Sequence, residues 1–426
     1  MSRDLPEGWE EKTLGNVCNI GGGVGFKEIM QGRRDLPFPF IKVSDMNDFG
    51  NEIEIQSARN YVDTAMLKAM GAKLFLPGSV VLPKVGAAAL TNKRRLLITP
   101  TAVDNNIMVW TPVGIDSSFL FHWSKSIDLA SFIQTGALPS FNKSLAESVS
   151  ILLPPLHEQR KIAEILSSVD NAIAATQAVI EQTKKVKQST LEHLLAKGIG
   201  HTRFKQTEIG EIPEAWELST LVDAGVGILD GDRGKEYPKA EDYLDNGYCL
   251  FLNAKNVTRA GFVFEELQFI SKEKHKKLRN GLLNPLDIVV TTRGTIGNFA
   301  FFDTEVPFNC MRINSGMAIM RSASSKLLPN FLFALLGSAL IERQLARRVF
   351  GSAQPQLTLE ILRKLIVPLP SEEEQFILST KAREFGELEK RQLIELASLN
   401  NLKLSLMSDL LTGRKRVTDT LPLAAE

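Results

Sequence analysis

The chain has 426 residues, 44% of them hydrophobic and 23% charged, which excludes a disordered or fibrous protein and points to two or three globular domains. Its 50 Lys+Arg against 49 Asp+Glu exclude a uniformly basic nucleic-acid binder, although not local basic patches. Three cysteines (Cys18, Cys249, Cys310), far apart in sequence, exclude a disulfide framework and lead to no expectation of a Cys-based metal site.

In chain order, Pro6-Glu7-Gly8-Trp9-Glu10 opens a segment of short Val-, Ile- and Phe-rich runs between Gly, Pro and Asn, the pattern of strands and loops. Strands are expected near Ser79–Leu82 and Ile107–Trp110, a helix from Ser117 to about Gln134, and a strand at Val149–Leu153. A long amphipathic helix then starts at Pro154-Pro155 and runs to about Lys197. Ile162, Leu166, Val169, Ile173, Ile180 and Leu194 form its apolar seam at alternating steps of three and four, or multiples of them.

The order then repeats. Pro213-Glu214-Ala215-Trp216-Glu217 restates the opening, and Phe251–Val257 lines up with Phe40–Met46. Strands are expected near Asp287–Val290 and Ala318–Met320, a helix over Asn330 to about Phe350, and a strand at Leu365–Leu369. A second long helix follows, and its seam is Leu378, Ala382, Phe385, Leu396 and Leu410. Polar residues interrupt both seams (Thr176, Thr183, Lys187; Glu389, Gln392, Lys403), which favours one register over maximal stability.

The expected fold is therefore α+β, with two similar α/β domains related by pseudo-two-fold symmetry. Two long antiparallel helices, forming a coiled coil, separate them. Residues 1–153 form the first domain, 154–198 the central helix, 199–368 the second domain and 369–413 the distal helix; 414–426 read as a disordered tail. Within this, Gly198–Gln206 reads as a polar connector. A helix of about 40 residues would run ~60 Å.

Chemistry is conspicuously missing. The five histidines are isolated from one another, so no metal site is expected. The run Gly21–Lys27 lacks the Gly-Lys-Ser/Thr ending of a phosphate loop and reads as a flexible turn. There is no Gly-x-Ser-x-Gly elbow, dinucleotide fingerprint or amino-methyltransferase tetrad. The polypeptide by itself is expected to be no catalyst. With no leader of basic then apolar residues, and the longest apolar run only Phe331–Ile341, a cytoplasmic protein away from membranes is expected.

What remains are polar and basic residues at strand ends, able to read base edges and neutralise phosphates. In the first half these are Lys42, Ser44, Asp45, Lys84, Lys93, Arg94, Arg95, Asn105, Asn106, Asn142 and Lys143. In the second they are Asn253, Lys255, Asn256, Arg293, Thr295, Arg312, Asn314, Gln354 and Gln356. Each alone is more often simply solvated. As sets, they differ between the halves while the apolar landmarks stay fixed, as expected of two domains reading different targets.

The chain resembles the specificity subunits of type I restriction–modification systems. The resemblance rests on the Pro-x-Gly-Trp opening (Pro6–Trp9; Pro213–Trp216, with Ala215 for glycine) and the Pro-Pro-Leu-x-Glu-Gln-x-x-Ile-Ala helix start (Pro154–Ala163). The Gly351–Leu357 loop and the two-half layout add to it. Gly136–Phe141 and Ser371–Phe376 are looser versions. The resemblance implies that residues 1–153 and 199–368 are target recognition domains, each reading half of a bipartite double-stranded DNA site. It implies that the helix pair sets the spacer and docks two modification subunits that bind S-adenosylmethionine and methylate adenine N6. Restriction subunits using ATP and Mg complete the system, and no cofactor is expected on this chain. The competing expectation is a coiled-coil adaptor that binds proteins through two variable domains.

Overall fold

The computed structural model of the chain describes residues 5–132, 140–323, 326–349 and 356–417. The chain divides into two units. The first comprises residues 1–178 and 394–426, the second residues 179–393. The two long helices, Leu156–Lys197 and Glu372–Leu410, are thus shared, each contributing one part to each unit.

In the first unit, Glu10–Thr13 pairs antiparallel with Ser150–Leu153, so the chain enters and leaves the globular part side by side. Between them lies a five-stranded sheet, in the order Cys18–Gly22, Ile107–Pro112, Val80–Pro83, Arg95–Leu97, Glu54–Ile55. A three-stranded sheet adds Asn60–Val62, Phe38–Ile41 and Ala102–Val103, the last two parallel. The central strands Val80–Pro83 and Ile107–Pro112 are near-continuous apolar runs because both faces are covered.

The second unit repeats the plan. Glu217–Thr220 pairs with Ile366–Leu369. A four-stranded sheet orders Val226–Asp230, Met317–Ser322, Ile288–Thr291 and Phe299–Phe301. A three-stranded sheet sets Cys249–Leu252 between Phe269–Ile270 and a parallel Met311–Ile313. The segment expected to be a connector begins a hairpin instead: Phe204–Thr207 pairs with Gly210–Pro213, the turn lying at Glu208-Ile209.

Both expected domain helices break. The first ends at Ser126, where the Ser124 and Ser126 hydroxyls donate to carbonyls three residues back and Asp128 caps a new short turn. The second divides at Gly337-Ser338 into Pro329–Leu336 and Ala339–Val349, with the Ser338 hydroxyl bonded to the Leu335 carbonyl.

Within each unit the two long-helix segments lie side by side and antiparallel. In the first, Ile162 and Leu166 share a core with Met407, Leu410 and Leu411, and Lys403 pairs with Asp170. In the second, Leu194 and Leu195 share a core with Leu378. There Gln392 donates to Thr183 Oγ1 at 3.1 Å and Lys187 Nζ lies 2.8 Å from Glu389 Oε2. As one partner's number rises the other's falls. Val169, Ile173, Ala382, Phe385 and Leu396 are half-buried along the same faces, and Ile180 is buried.

The helix starts are stapled to the domains by the Glu-Gln pair. Trp9 Nε1 donates to Glu158 Oε2 at 3.1 Å, and Trp216 Nε1 to Glu374 Oε2 at 2.9 Å. Gln159 accepts the Asp116 N–H and donates to the Pro154 carbonyl; Gln375 accepts the Leu328 N–H and donates to the Pro370 carbonyl. The glutamates also hold the end of the other long helix. Arg416 Nη2 and the Val417 N–H donate to Glu158, while the Ile199 N–H and His201 bond Glu374. Residues 414–417 are therefore not part of a free tail, because a buried carboxylate anchors them; residues 418–426 lie outside the described residues.

The two tryptophan turns differ by one residue. Gly8 sits at φ +78°, a left-handed conformation glycine adopts freely, whereas Ala215 stays at negative φ. Both turns still close, Pro6 and Pro213 carbonyls accepting the Trp9 and Trp216 N–H.

A buried polar node joins the domain helix Ser117–Ser126 to the long helices of the first unit. His122 Nε2 meets Ser167 Oγ at 2.9 Å, and Asp170 lies between His122, Lys125 and Lys403. Burial pushes the His122 imidazole down to about 4 despite the Asp170 charge.

Two predictions follow from these contacts. Glu158→Ala strands the buried Trp9 N–H and should cost about 2 kcal/mol by urea denaturation, with Glu158→Gln milder because one acceptor survives. His122 is held neutral when folded but protonates near 6.5 when unfolded, so stability should fall as pH drops from about 6.5 towards 4. Thermal melts across that window should be flatter for His122→Gln.

Candidate nucleic-acid interface

The polar residues singled out in the first half sort into three groups. Lys42 and Ser44 line an open cleft of about 580 Å³ together with Gln31, Gly32, Arg34, Arg59 and Asn60. Asp45 is buried beneath them and accepts the backbone N–H groups of Lys42 and Arg59, both at 2.8 Å, so it shapes the cleft rather than facing it. Lys42 Nζ is held by Gln31 Oε1 at 2.6 Å and lies 5.6 Å from the Phe26 ring centre. Arg59 pairs with Asp48, whose carboxyl is held below its usual range by that hydrogen bond.

A second recess, of about 340 Å³, gathers Lys84, Asn142 and Lys143 beside Gly21, Gly22 and Phe141. The Lys84 N–H donates to the Asn106 carbonyl at 2.9 Å, which brings the exposed Asn105-Asn106 turn to the same strand end. Asn142 spends its side-chain oxygen on the Leu145 N–H as a helix cap, and exposed Lys143 lies 3.5 Å from Glu147. The glycine run has a packing reason here. A Cβ on Gly23 would stand 1.7 Å from the Val103 carbonyl oxygen, so only glycine lets the strand end close on Val103.

The third group is structural. Arg94 is buried and donates to Asn92 Oδ1 and the Ile127 carbonyl; burial pushes its guanidinium down to about 10. Arg95 donates to the Arg94 and Met46 carbonyls, and Lys93 is spent on Asn47.

In the second half, exposed Arg293 and half-buried Asn314 meet around Gly316. The Arg293 N–H reaches the Gly316 carbonyl at 3.3 Å, and Asn314 Oδ1 accepts the Gly316 N–H at 2.9 Å. The Leu357 N–H bonds the Thr292 carbonyl at 3.1 Å, which brings exposed Gln356 to this strand end; exposed Thr295 lies in the same turn, where its carbonyl accepts from Thr291. The matching bond in the first unit, Phe141 N–H to the Lys84 carbonyl at 2.8 Å, marks the two faces as equivalent. Gln354 lies outside the described residues.

Asn253 caps a short turn, and Lys255 is exposed but paired with Glu266. Asn256 is buried on the Val263 and Glu266 carbonyls. Arg312 is buried against the carbonyls of His275, Leu278 and Asn280. These two hold loops together.

Sequence reasoning missed Arg34 and Arg59 in the cleft, and Arg233, which donates to the Ser315 carbonyl beside Asn314. The doublet Arg33-Arg34 carried a signal; Arg59 and Arg233 are single charges in loops and carried none.

Comparison with known proteins agrees with this duplicated layout. Residues 6–185 and 213–397 each match the family described as type I restriction modification DNA specificity domain. The chain is 31% identical over 434 residues to the type I restriction enzyme MjaVIII specificity subunit of Methanocaldococcus jannaschii, covering 97% of this chain and 94% of that one. It is 25% identical over 279 residues to the EcoBI specificity subunit of Escherichia coli, covering 61% and 57%. The solved type I S subunit from M. genitalium shares the fold with a TM-score of 0.59 at 14% identity, covering 96% and 97% of the two chains. A repeated family match across both halves, and a relative at this identity over nearly the whole length, place the protein in one family: the chain belongs to the specificity subunits of type I restriction–modification enzymes.

Proposed function

We propose that this protein reads a bipartite DNA sequence, one half-site through each globular domain, and performs no chemistry itself. The observation that carries this reading is the pair of equivalent strand-end faces dressed with different side chains. Lys84, Asn106 and Lys143 stand on one; Arg293, Asn314 and Gln356 stand on the other. Asn and Gln are suited to adenine edges, Arg to guanine, and Lys to phosphates. The cationic cleft of Arg34, Lys42 and Arg59 gives the first domain a further backbone-binding surface.

The long helices supply the spacing. The central helix has 42 residues, a length of roughly 63 Å. Recognition modules about one DNA turn apart, ~34 Å, would address the same face of the duplex. On this reading, two modification subunits dock on the helix pair, bring S-adenosylmethionine, and methylate adenine N6 after flipping it out of the stack. Restriction subunits bring ATP and Mg. No described helix is long and apolar enough to cross a membrane, and the complex acts in the cytoplasm.

Co-expression with its modification subunit should produce adenine methylation at one split motif in the methylome. Exchanging residues 1–153 for those of another family member should change one half-site and leave the other. A change in both halves, or no new motif at all, would refute the reading. Separately, Lys84→Ala and Lys143→Ala in the assembled methyltransferase should each reduce the slope of log affinity against log salt by about 1 without a stability change. Arg94→Met should instead cost about 2 kcal/mol in denaturant, because the half-buried Ile127 carbonyl loses its buried guanidinium donor, and should leave the salt slope unchanged.

A further inference from the structure

Cys249 and Cys310 stand far apart in sequence, but Cys249 opens one strand and Cys310 immediately precedes the parallel strand beside it. Leu250 pairs with Met311, so the residues before them are register neighbours, and the Leu250 N–H donates to the Cys310 carbonyl at 3.0 Å. The helix Lys272–Lys277 crosses this end of the sheet and brings His275 down beside them. One ligand atom from each of Cys249, His275 and Cys310 lies within 4.8 Å of the other two.

We propose that these three side chains form a binding site for a soft divalent cation of the zinc class. The distances suit a tetrahedral metal ion. A tetrahedral ion with metal–sulfur bonds of about 2.3 Å and a metal–nitrogen bond of about 2.1 Å has a sulfur–nitrogen edge of about 3.6 Å. Cys310 Sγ and His275 Nδ1 are 3.6 Å apart. Both cysteines are free thiols.

The surroundings suit such an ion. Phe251, Ile270 and Leu278 make the pocket apolar, and Tyr248 packs edge-on against the His275 ring at 5.2 Å. Arg312 Nε donates to His275 Nδ1 at 3.2 Å, so in the metal-free chain the Nδ1 lone pair is spent on the guanidinium. The metal displaces this one hydrogen bond. Arg312 keeps its three carbonyl partners, at 2.6, 3.2 and 3.1 Å, and stays as a cation beside the two thiolates. Two thiolates balance the dication, and both thiol protons leave to solvent as it binds. Because binding releases these protons, affinity falls with decreasing pH. Three protein ligands leave the fourth position for water or a small anion.

The test titrates the full chain, kept reduced, with Co²⁺. One equivalent should give a near-ultraviolet thiolate-to-cobalt absorption that Zn²⁺ abolishes, and Zn²⁺ should raise the thermal midpoint. Cys310→Ser and His275→Gln should each weaken Zn²⁺ by roughly 100-fold or more, beyond the 10–100-fold of losing an outer-shell partner. Cys18→Ser, in the other unit, should change nothing. No cobalt absorption, or the same absorption in the Cys249→Ser/Cys310→Ser double variant, would overturn the proposal. Should Cys249→Ser fail to fold, the partly exposed Cys310 and His275 decide the matter.

Discussion

The architecture depends on one kind of interaction, made twice: a carboxylate at the start of each long helix, buried at Glu158 and half-buried at Glu374. Glu158 receives the Trp9 indole, Arg416 and the Val417 N–H; Glu374 receives the Trp216 indole, His201 and the Ile199 N–H. Each carboxylate therefore ties together the domain's first turn, the helix that leaves that domain, and the far end of the other helix. A charge so placed is tolerable only when fully hydrogen-bonded, and that condition admits one register. The close approach is visible in the glycines that follow each helix. A Cβ on Gly198 would stand 2.7 Å from the Trp216 ring, and one on Gly413 2.7 Å from Pro6.

The same logic governs the helix seam. Leucines alone would let two amphipathic helices slide by a heptad, and the polar pairs forbid it. Lys403 must find Asp170 in the first unit; Lys187 must find Glu389 and Gln392 must find Thr183 in the second. If the helices serve as a ruler between half-sites, a fixed register matters more than maximal helix–helix stability. The Asp170 node also recruits His122 and Lys125 from a domain helix, so it holds the first domain's orientation on its helices as well.

Within each unit, the strand-end faces are free to differ. Their backbone is common to both units: a loop amide bonds the end of a central strand, Phe141 to Lys84 in one and Leu357 to Thr292 in the other. Nothing in that backbone bond constrains the side chains around it. A duplicated scaffold of this kind can change what it reads by substituting exposed residues while its helix-start carboxylates and strands stay as they are.

The duplication, the two long helices and the absence of catalytic motifs were all legible in the residues, because they are matters of order and period that a linear chain displays directly. Which polar residues face outward was not. Arg94, Arg312, Asn256 and Asp45 have the side chains of a recognition surface, yet each is buried and spent on backbone groups. Lys84, Lys143, Arg293 and Gln356 have the same chemistry and are the ones left at the surface or lining a recess. Donor and acceptor chemistry is a property of the residue type, whereas burial is a property of the packed sheet. The gathering of Cys249, His275 and Cys310 was hidden for the same reason: parallel strands place together residues that sequence distance keeps apart. Sequence alone determined the frame and its repeat; tertiary packing decided which side chains that frame presents.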